Sequence, residues 1–171
     1  EQDVPYVLKA ISILRKELAG RVPLIGFGGA PFTLACYMVE GKGSKDWGTI
    51  KKMMYAAPEV YAALMEKITM MDMEYLNAQI KAGAQAIQIF DTWGGILSPS
   101  DYETYVLPYT TRLIEGLDRT HTPIIHFVKG AATMLDAVKK AGSDVIGLDW
   151  HVNLGQARDM LGPEIAVQGN L

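Results

Sequence analysis

Five short apolar runs, each separated from the next by a stretch of helical periodicity, constrain this chain more than any other feature. They are "VPLIGFG", "AIQIFD", "PIIHFV", "VIGLDW" and "IAVQG". A continuous run of β-branched and aromatic residues bounded by glycine or proline is the pattern of a strand buried on both faces. Between the runs, apolar residues recur at helical spacing. "PEVYAALMEKITMMDMEYLNAQIKAG" places Val60, Leu64, Ile68, Met71, Tyr75 and Ile80 in this way, with Pro58 at its start and Gly83 past its end. Further helices are predicted over Pro5 to Ala19 with Asp3 as cap, through "DYETYVLPYTTRLIEGLD", over "AATMLDAVKKAG" and over "LGQARDML". Pro108 should kink or divide the second of these. Twice a helix runs out in Ala-Gly before a strand, at Ala82-Gly83 and Ala141-Gly142, so the β-α unit repeats.

Parallel strands joined by helical crossovers permit a doubly wound sheet or a (β/α)₈ TIM barrel. A barrel needs about 250 residues and eight strands, whereas a doubly wound sheet is complete at this length. The chain opens on Glu1 and finishes on a strand with no covering helix. The reading is therefore one partial α/β domain over residues 1–171, holding about five strands of a TIM barrel and their helices.

The glycine-rich "GFGGAPFTLACYMVEG" at residues 26–41 begins like a nucleotide loop. A dinucleotide fingerprint starting at Gly26 needs glycine at position 31 and meets Pro31. A Walker loop needs Gly-Lys-Ser/Thr, which is absent. Proline offers no amide hydrogen and fixes φ, so Ala30-Pro31 reads as a rigid turn at the start of a helix. Gly28 and Gly29 would permit an unusual backbone or close approach to a ligand. Tyr37 lies one or two turns further on, its hydroxyl either a donor to an anionic ligand or simply satisfied at the surface.

In parallel α/β folds the sites form at the carboxyl ends of strands. Those ends here carry Asp91, Thr92 and Trp93, then His126 to Lys129, then Asp149, Trp150 and His151. Asp91 and Asp149 could act as bases or magnesium ligands, or equally as helix caps and partners of nearby amides. His126, inside an apolar strand, reads as a hydrogen-bonded interior residue. His121 and His151 have no metal spacing, and a zinc site at His126 would need a thiolate where Val128 stands. Cys36 is the one cysteine, which excludes disulfides and multi-cysteine zinc sites and suits a reducing compartment. A net charge of −3 with scattered Lys and Arg argues against nucleic acid. No apolar run approaches the roughly 18 residues that cross a bilayer. The expected setting is cytoplasmic.

"GFGGAPFTLACYMVEGKGS", with "AGAQAIQIFDTWGGILSP", "LPY", "GLDW" and "QGNL" following in order, closely resembles the uroporphyrinogen decarboxylase family. The resemblance covers essentially the whole chain. It implies a TIM barrel that removes carbon dioxide from the four acetate groups of uroporphyrinogen, giving coproporphyrinogen without metal or organic cofactor. It implies a homodimer, with uroporphyrinogen as small-molecule partner. Carried over by position, Tyr37 and Thr92 match substrate-contacting residues, and Gly28 and Gly29 match the loop beside the cleft. No catalytic residue is carried over to this segment. The family's arginine-rich motif, its pyrrole-facing aspartate and its late histidine all fall outside it. Two other readings stand against this one: a zinc or corrinoid methyltransferase of the same superfamily, which the single cysteine disfavours, and a non-catalytic flavodoxin-like ligand-binding module.

Overall fold

The computed structural model describes residues 4–170. Asp3, expected to cap the first helix, lies outside them. The cap position is taken by Val4, which offers no side-chain acceptor, and Pro5 at the first helical position supplies a preset φ instead.

Five parallel strands pair in chain order: β1 (Ile25–Gly29), β2 (Ala86–Asp91), β3 (Ile124–Val128), β4 (Val145–Gly147) and β5 (Ala166–Gln168). This order decides between the two architectures. A doubly wound sheet reverses its strand order at a switch point; here each strand lies beside its predecessor without reversal. The sheet is a five-stranded section of a (β/α)₈ barrel.

The helices are α1 (Pro5–Leu18), α2 (Pro31–Glu40), α3 (Gly48–Ala56), α4 (Pro58–Ala82), α5 (Pro99–Asp101), α6 (Leu107–Glu115), α7 (Leu135–Lys140) and α8 (Leu154–Leu161). The periodicity did not single out α3. It starts from Trp47 in a left-handed conformation, and Glu40 at the end of α2 accepts from the Thr49 and Ile50 amides. That carboxylate satisfies two of the orphan donors every helix start leaves. Pro108 divides the long helix as expected. A π-helical turn over Tyr102–Val106 joins α5 to α6, and the Tyr61 hydroxyl donates to the Tyr105 carbonyl at 2.8 Å within it.

The strand side chains alternate between two faces. One face carries Ile87, Ile89, Ile124, His126, Val128 and Ile146, all buried. The core lies here, in two clusters: Phe32, Trp47, Met65, Tyr102 and Leu135 in one, and Leu76, Leu113 and Ile114 in the other. Among the described residues, the helices pack on that face, and the opposite, inner face stays more open. Ile25 and Phe27 are 43% and 63% exposed there. Phe27, Phe90 and Phe127 form a row across that face, edge to face, with centroids 6.0 and 5.9 Å apart.

At the outer edge of β1, Gln79 of α4 takes the place of a strand neighbour. Its amide accepts from the Phe27 N–H at 3.0 Å and donates to the Phe27 carbonyl at 2.9 Å. This buried side chain ties α4 to the backbone of β1.

Candidate functional site

The carboxyl ends of β1, β2 and β3 carry a group of aromatic and polar side chains. Tyr37 lies on α2, which begins straight after β1 because Pro31 sets the first turn. Its ring packs edge-on against Trp47 at 5.5 Å and Trp93 at 6.1 Å, and the residue is 45% exposed. Trp47 and Trp93 themselves approach to 4.5 Å. Two tryptophan rings, one at the start of α3 and one in the turn after β2, thus hold the Tyr37 ring in place. Thr92 is held through its neighbours. The Trp93 N–H donates to Thr33 Oγ1 at 3.2 Å, and that hydroxyl donates to Asp91 Oδ1 at 3.0 Å.

Asp91 points away from the inner face and is fully buried behind the sheet. Burial pushes its carboxyl up to about 7, against the opposing pull of the Thr33 hydroxyl and the Gly94 amide. Its second oxygen has no partner among the described residues. Asp91, the last residue of β2, shares the helix-facing side of the strand with Ile87 and Ile89, which makes this aspartate a buttress of the turn rather than a group reaching the cleft. Asp149 is also a clamp. Its Oδ2 accepts from the Gly130 N–H at 2.6 Å and its Oδ1 from the His151 N–H at 3.0 Å, while His151 Nδ1 lies 3.1 Å from Oδ2. Burial raises this carboxyl, yet those hydrogen bonds outweigh it and hold the group below its ordinary value.

His126 lies in the interior, but not as a hydrogen-bonded residue. Neither ring nitrogen has a partner among the described residues, and burial pushes the imidazole down to about 4. It is a neutral core side chain facing the helices. His121 lies far from the strand ends, on the loop before β3 at the opposite end of the sheet, beside a 440 Å³ surface cleft lined also by Arg15, Gln85 and Asp118. No cluster of three or more potential metal ligands occurs among the described residues. Cys36 is buried, and its thiol is pushed far up by burial and by the nearby Asp91 and Glu40 charges.

The two glycines separate. A Cβ on Gly28 would meet Leu76 at 3.0 Å and Asp72 at 3.1 Å, so this glycine admits α4 against the strand and does not line the cleft through a side-chain position. A Cβ on Gly29 would press on Leu34 at 2.8 Å, so this one lets α2 fold back over the end of β1. The residues that sequence reasoning missed are the inner-face phenylalanines. Their alternation within "GFG", "IFD" and "HFV" was present, but an apolar residue in an apolar strand gives no sign of which face it takes.

A family model described as uroporphyrinogen decarboxylase matches residues 1–171. The chain belongs to the uroporphyrinogen decarboxylase family. It is 83% identical over 171 residues to a uroporphyrinogen decarboxylase of Trichlorobacter lovleyi and 82% identical to one of Geobacter metallireducens. In both cases the match covers 100% of this chain and 50% of the relative, so the chain spans about half the length of the uroporphyrinogen decarboxylases it matches. Among solved structures, a methyltransferase from Methanosarcina mazei superposes with a TM-score of 0.87 at 19% identity, over 98% of this chain and 48% of that one. That likeness concerns the fold. Within this segment of the family, Tyr37 and Thr92 follow the carboxyl ends of β1 and β2, and the phenylalanine row crosses the inner face of the same strands.

Proposed function

We propose that the protein carrying this segment decarboxylates the four acetate side chains of uroporphyrinogen to give coproporphyrinogen, in the cytoplasm, as a homodimer and without metal or organic cofactor. The observation that carries the reading is the pairing of an inner-face aromatic row, exposed Phe27 with half-buried Phe90 and Phe127, with the hydroxyl-bearing Tyr37 and Thr92 at the carboxyl ends of the same strands. A macrocycle of pyrrole rings fringed by carboxylates presents the complementary pattern: flat and apolar at its centre, acidic at its edge.

The chemistry needs no external electron acceptor. Protonation of a pyrrole carbon gives a delocalised cation. Breaking the bond between the acetate methylene and its carboxylate releases carbon dioxide, and the electron pair of that bond neutralises the cation. A proton then converts the methylene to methyl, and loss of the first proton restores the pyrrole. The protein must stabilise the cation, hold the other carboxylates and exclude water. Tyr37 and Thr92 serve the second task as neutral donors. They position the substrate and do not drive bond cleavage.

The zinc methyltransferase reading lacks its thiolates, since the one cysteine is buried. The flavodoxin-like reading requires a reversed strand order, which the sheet does not have. The test is conversion of uroporphyrinogen by the full-length protein after exhaustive chelation, followed by chromatography of the oxidised porphyrins. Coproporphyrin should accumulate at the unchelated rate, while residues 1–171 alone should yield none. Dependence on added metal would refute the cofactor-free reading.

A further inference from the structure

Among the described residues, Lys129 has no carboxylate counter-ion on the same rim. Asp91 pairs with Val128 in register, so Thr92 and Lys129 follow side by side at the next level, and the Lys129 N–H continues the ladder to the Asp91 carbonyl at 3.4 Å. Carried one residue past the ends of β2 and β3, the alternation puts them on the inner side, two residues above Phe90 and Phe127. The backbone there has no slack. A Cβ on Gly95 would lie 2.0 Å from the Lys129 carbonyl oxygen, so the turn after β2 is seated directly on Lys129.

No carboxylate among the described residues pairs with the ammonium. Ion pairs among the described residues join Arg112 to Glu66, Arg119 to Asp144, Lys140 to Glu103 and His151 to Asp149. Asp149, the acid of the adjacent loop, is occupied by two backbone amides and the His151 ring. Lys129 Nζ instead lies over the Trp150 ring, 5.5 Å from its centroid, and Trp150 stacks at 4.6 Å on His151. Trp150 is 63% exposed, an unusual place for so large an apolar side chain. A partly desolvated cation without an anion is costly, and a cation–π contact recovers only part of what an anionic partner would.

We propose that Lys129 is a substrate-binding residue of this cleft, whose ammonium leaves the Trp150 ring to pair with a carboxylate of the porphyrinogen next to the one held by Thr92. This rests on the decarboxylase reading above. It also places one positive charge within a segment whose net charge is −3.

The experiment compares the full-length enzyme with its Lys129→Gln and Lys129→Arg variants, by steady-state kinetics on uroporphyrinogen at low and high salt. Lys129→Gln should raise KM about tenfold or more, equivalent to about 1.4 kcal/mol or more, with a much smaller change in kcat. Lys129→Arg should recover most of the loss, and the salt dependence of KM should be shallower in the Gln variant. Binding of coproporphyrin, followed by loss of tryptophan emission, should weaken in parallel. A KM indifferent to Lys129→Gln overturns the inference and leaves the decarboxylase reading standing. So does a loss that tracks lowered thermal stability and is not recovered by Arg. An unsubstituted enzyme that does not turn over uroporphyrinogen overturns both.

Discussion

Thr33 Oγ1 donates to Asp91 Oδ1 at 3.0 Å and accepts from the Trp93 N–H at 3.2 Å, so one hydroxyl in the first turn of α2 ties the ends of β1 and β2 together. Thr33 and Asp91 are both buried. Thr33→Val keeps the shape and removes the hydroxyl, leaving a buried carboxylate and an amide unpaired. The full-length protein should lose about 1–3 kcal/mol. The loss should be larger at pH 8, where Asp91 is ionised, than at pH 5, where it is protonated. Urea denaturation at the two pH values reads the difference.

Asp72, buried in α4 against β1, has its carboxyl pushed up to about 7 by burial. In the unfolded chain the same group ionises near its ordinary value of 3.8. Between about pH 4 and 7 the folded state therefore holds the extra proton, and its contribution to stability is lost as pH rises through that window. Asp72→Asn removes the ionisation. The variant should gain on the parent progressively from pH 4 to pH 7, by up to about 4 kcal/mol at pH 8. Because Asp91 and His126 are common to both proteins, subtracting their denaturation curves isolates Asp72. A difference independent of pH would contradict the assignment.

Gln79 makes two hydrogen bonds to the Phe27 backbone from a buried position. Gln79→Leu is close in size and leaves an N–H and a carbonyl of β1 unsatisfied. It should destabilise by about 2–4 kcal/mol, counting roughly 1–2 for each group left unpaired. Hydrogen exchange at the Phe27 amide should accelerate before that of β2 and β3.

Tyr37→Phe leaves the contacts with Trp47 and Trp93 in place and removes one hydroxyl. Stability should change by less than about 0.5 kcal/mol at so exposed a site. In the full-length enzyme kcat/KM for uroporphyrinogen should fall roughly ten- to a hundredfold, the worth of about 1.5–3 kcal/mol for a hydrogen bond to a charged acceptor. Unchanged kinetics would return Tyr37 to a packing role.

The candidate site was only half legible in the sequence. Tyr37 and Thr92 could be named because their segments resemble those of a family, and the structure gathers their elements at one end of the sheet. Asp91 read as equally available, and only the side of β2 it shares with Ile87 and Ile89 shows that it faces the helices. His126 was expected to find hydrogen-bond partners and has none among the described residues. Helix α3 escaped notice because its start depends on Glu40, a residue of the preceding helix, reaching across to its first amides.

By itself the sequence determined the alternation of strands and helices, since hydrophobic period and glycine or proline punctuation are local properties. "AIQIFD" is β2 residue for residue, and the bounds of α4 follow from Pro58 and Gly83. Tertiary structure decided the strand order, the face each side chain takes and the partners of buried polar groups. Those depend on where distant segments come to rest: a hydroxyl at Thr33, an amide at Gln79 or a ring at Trp150 acquires its role only when the sheet brings another loop within hydrogen-bonding or stacking distance.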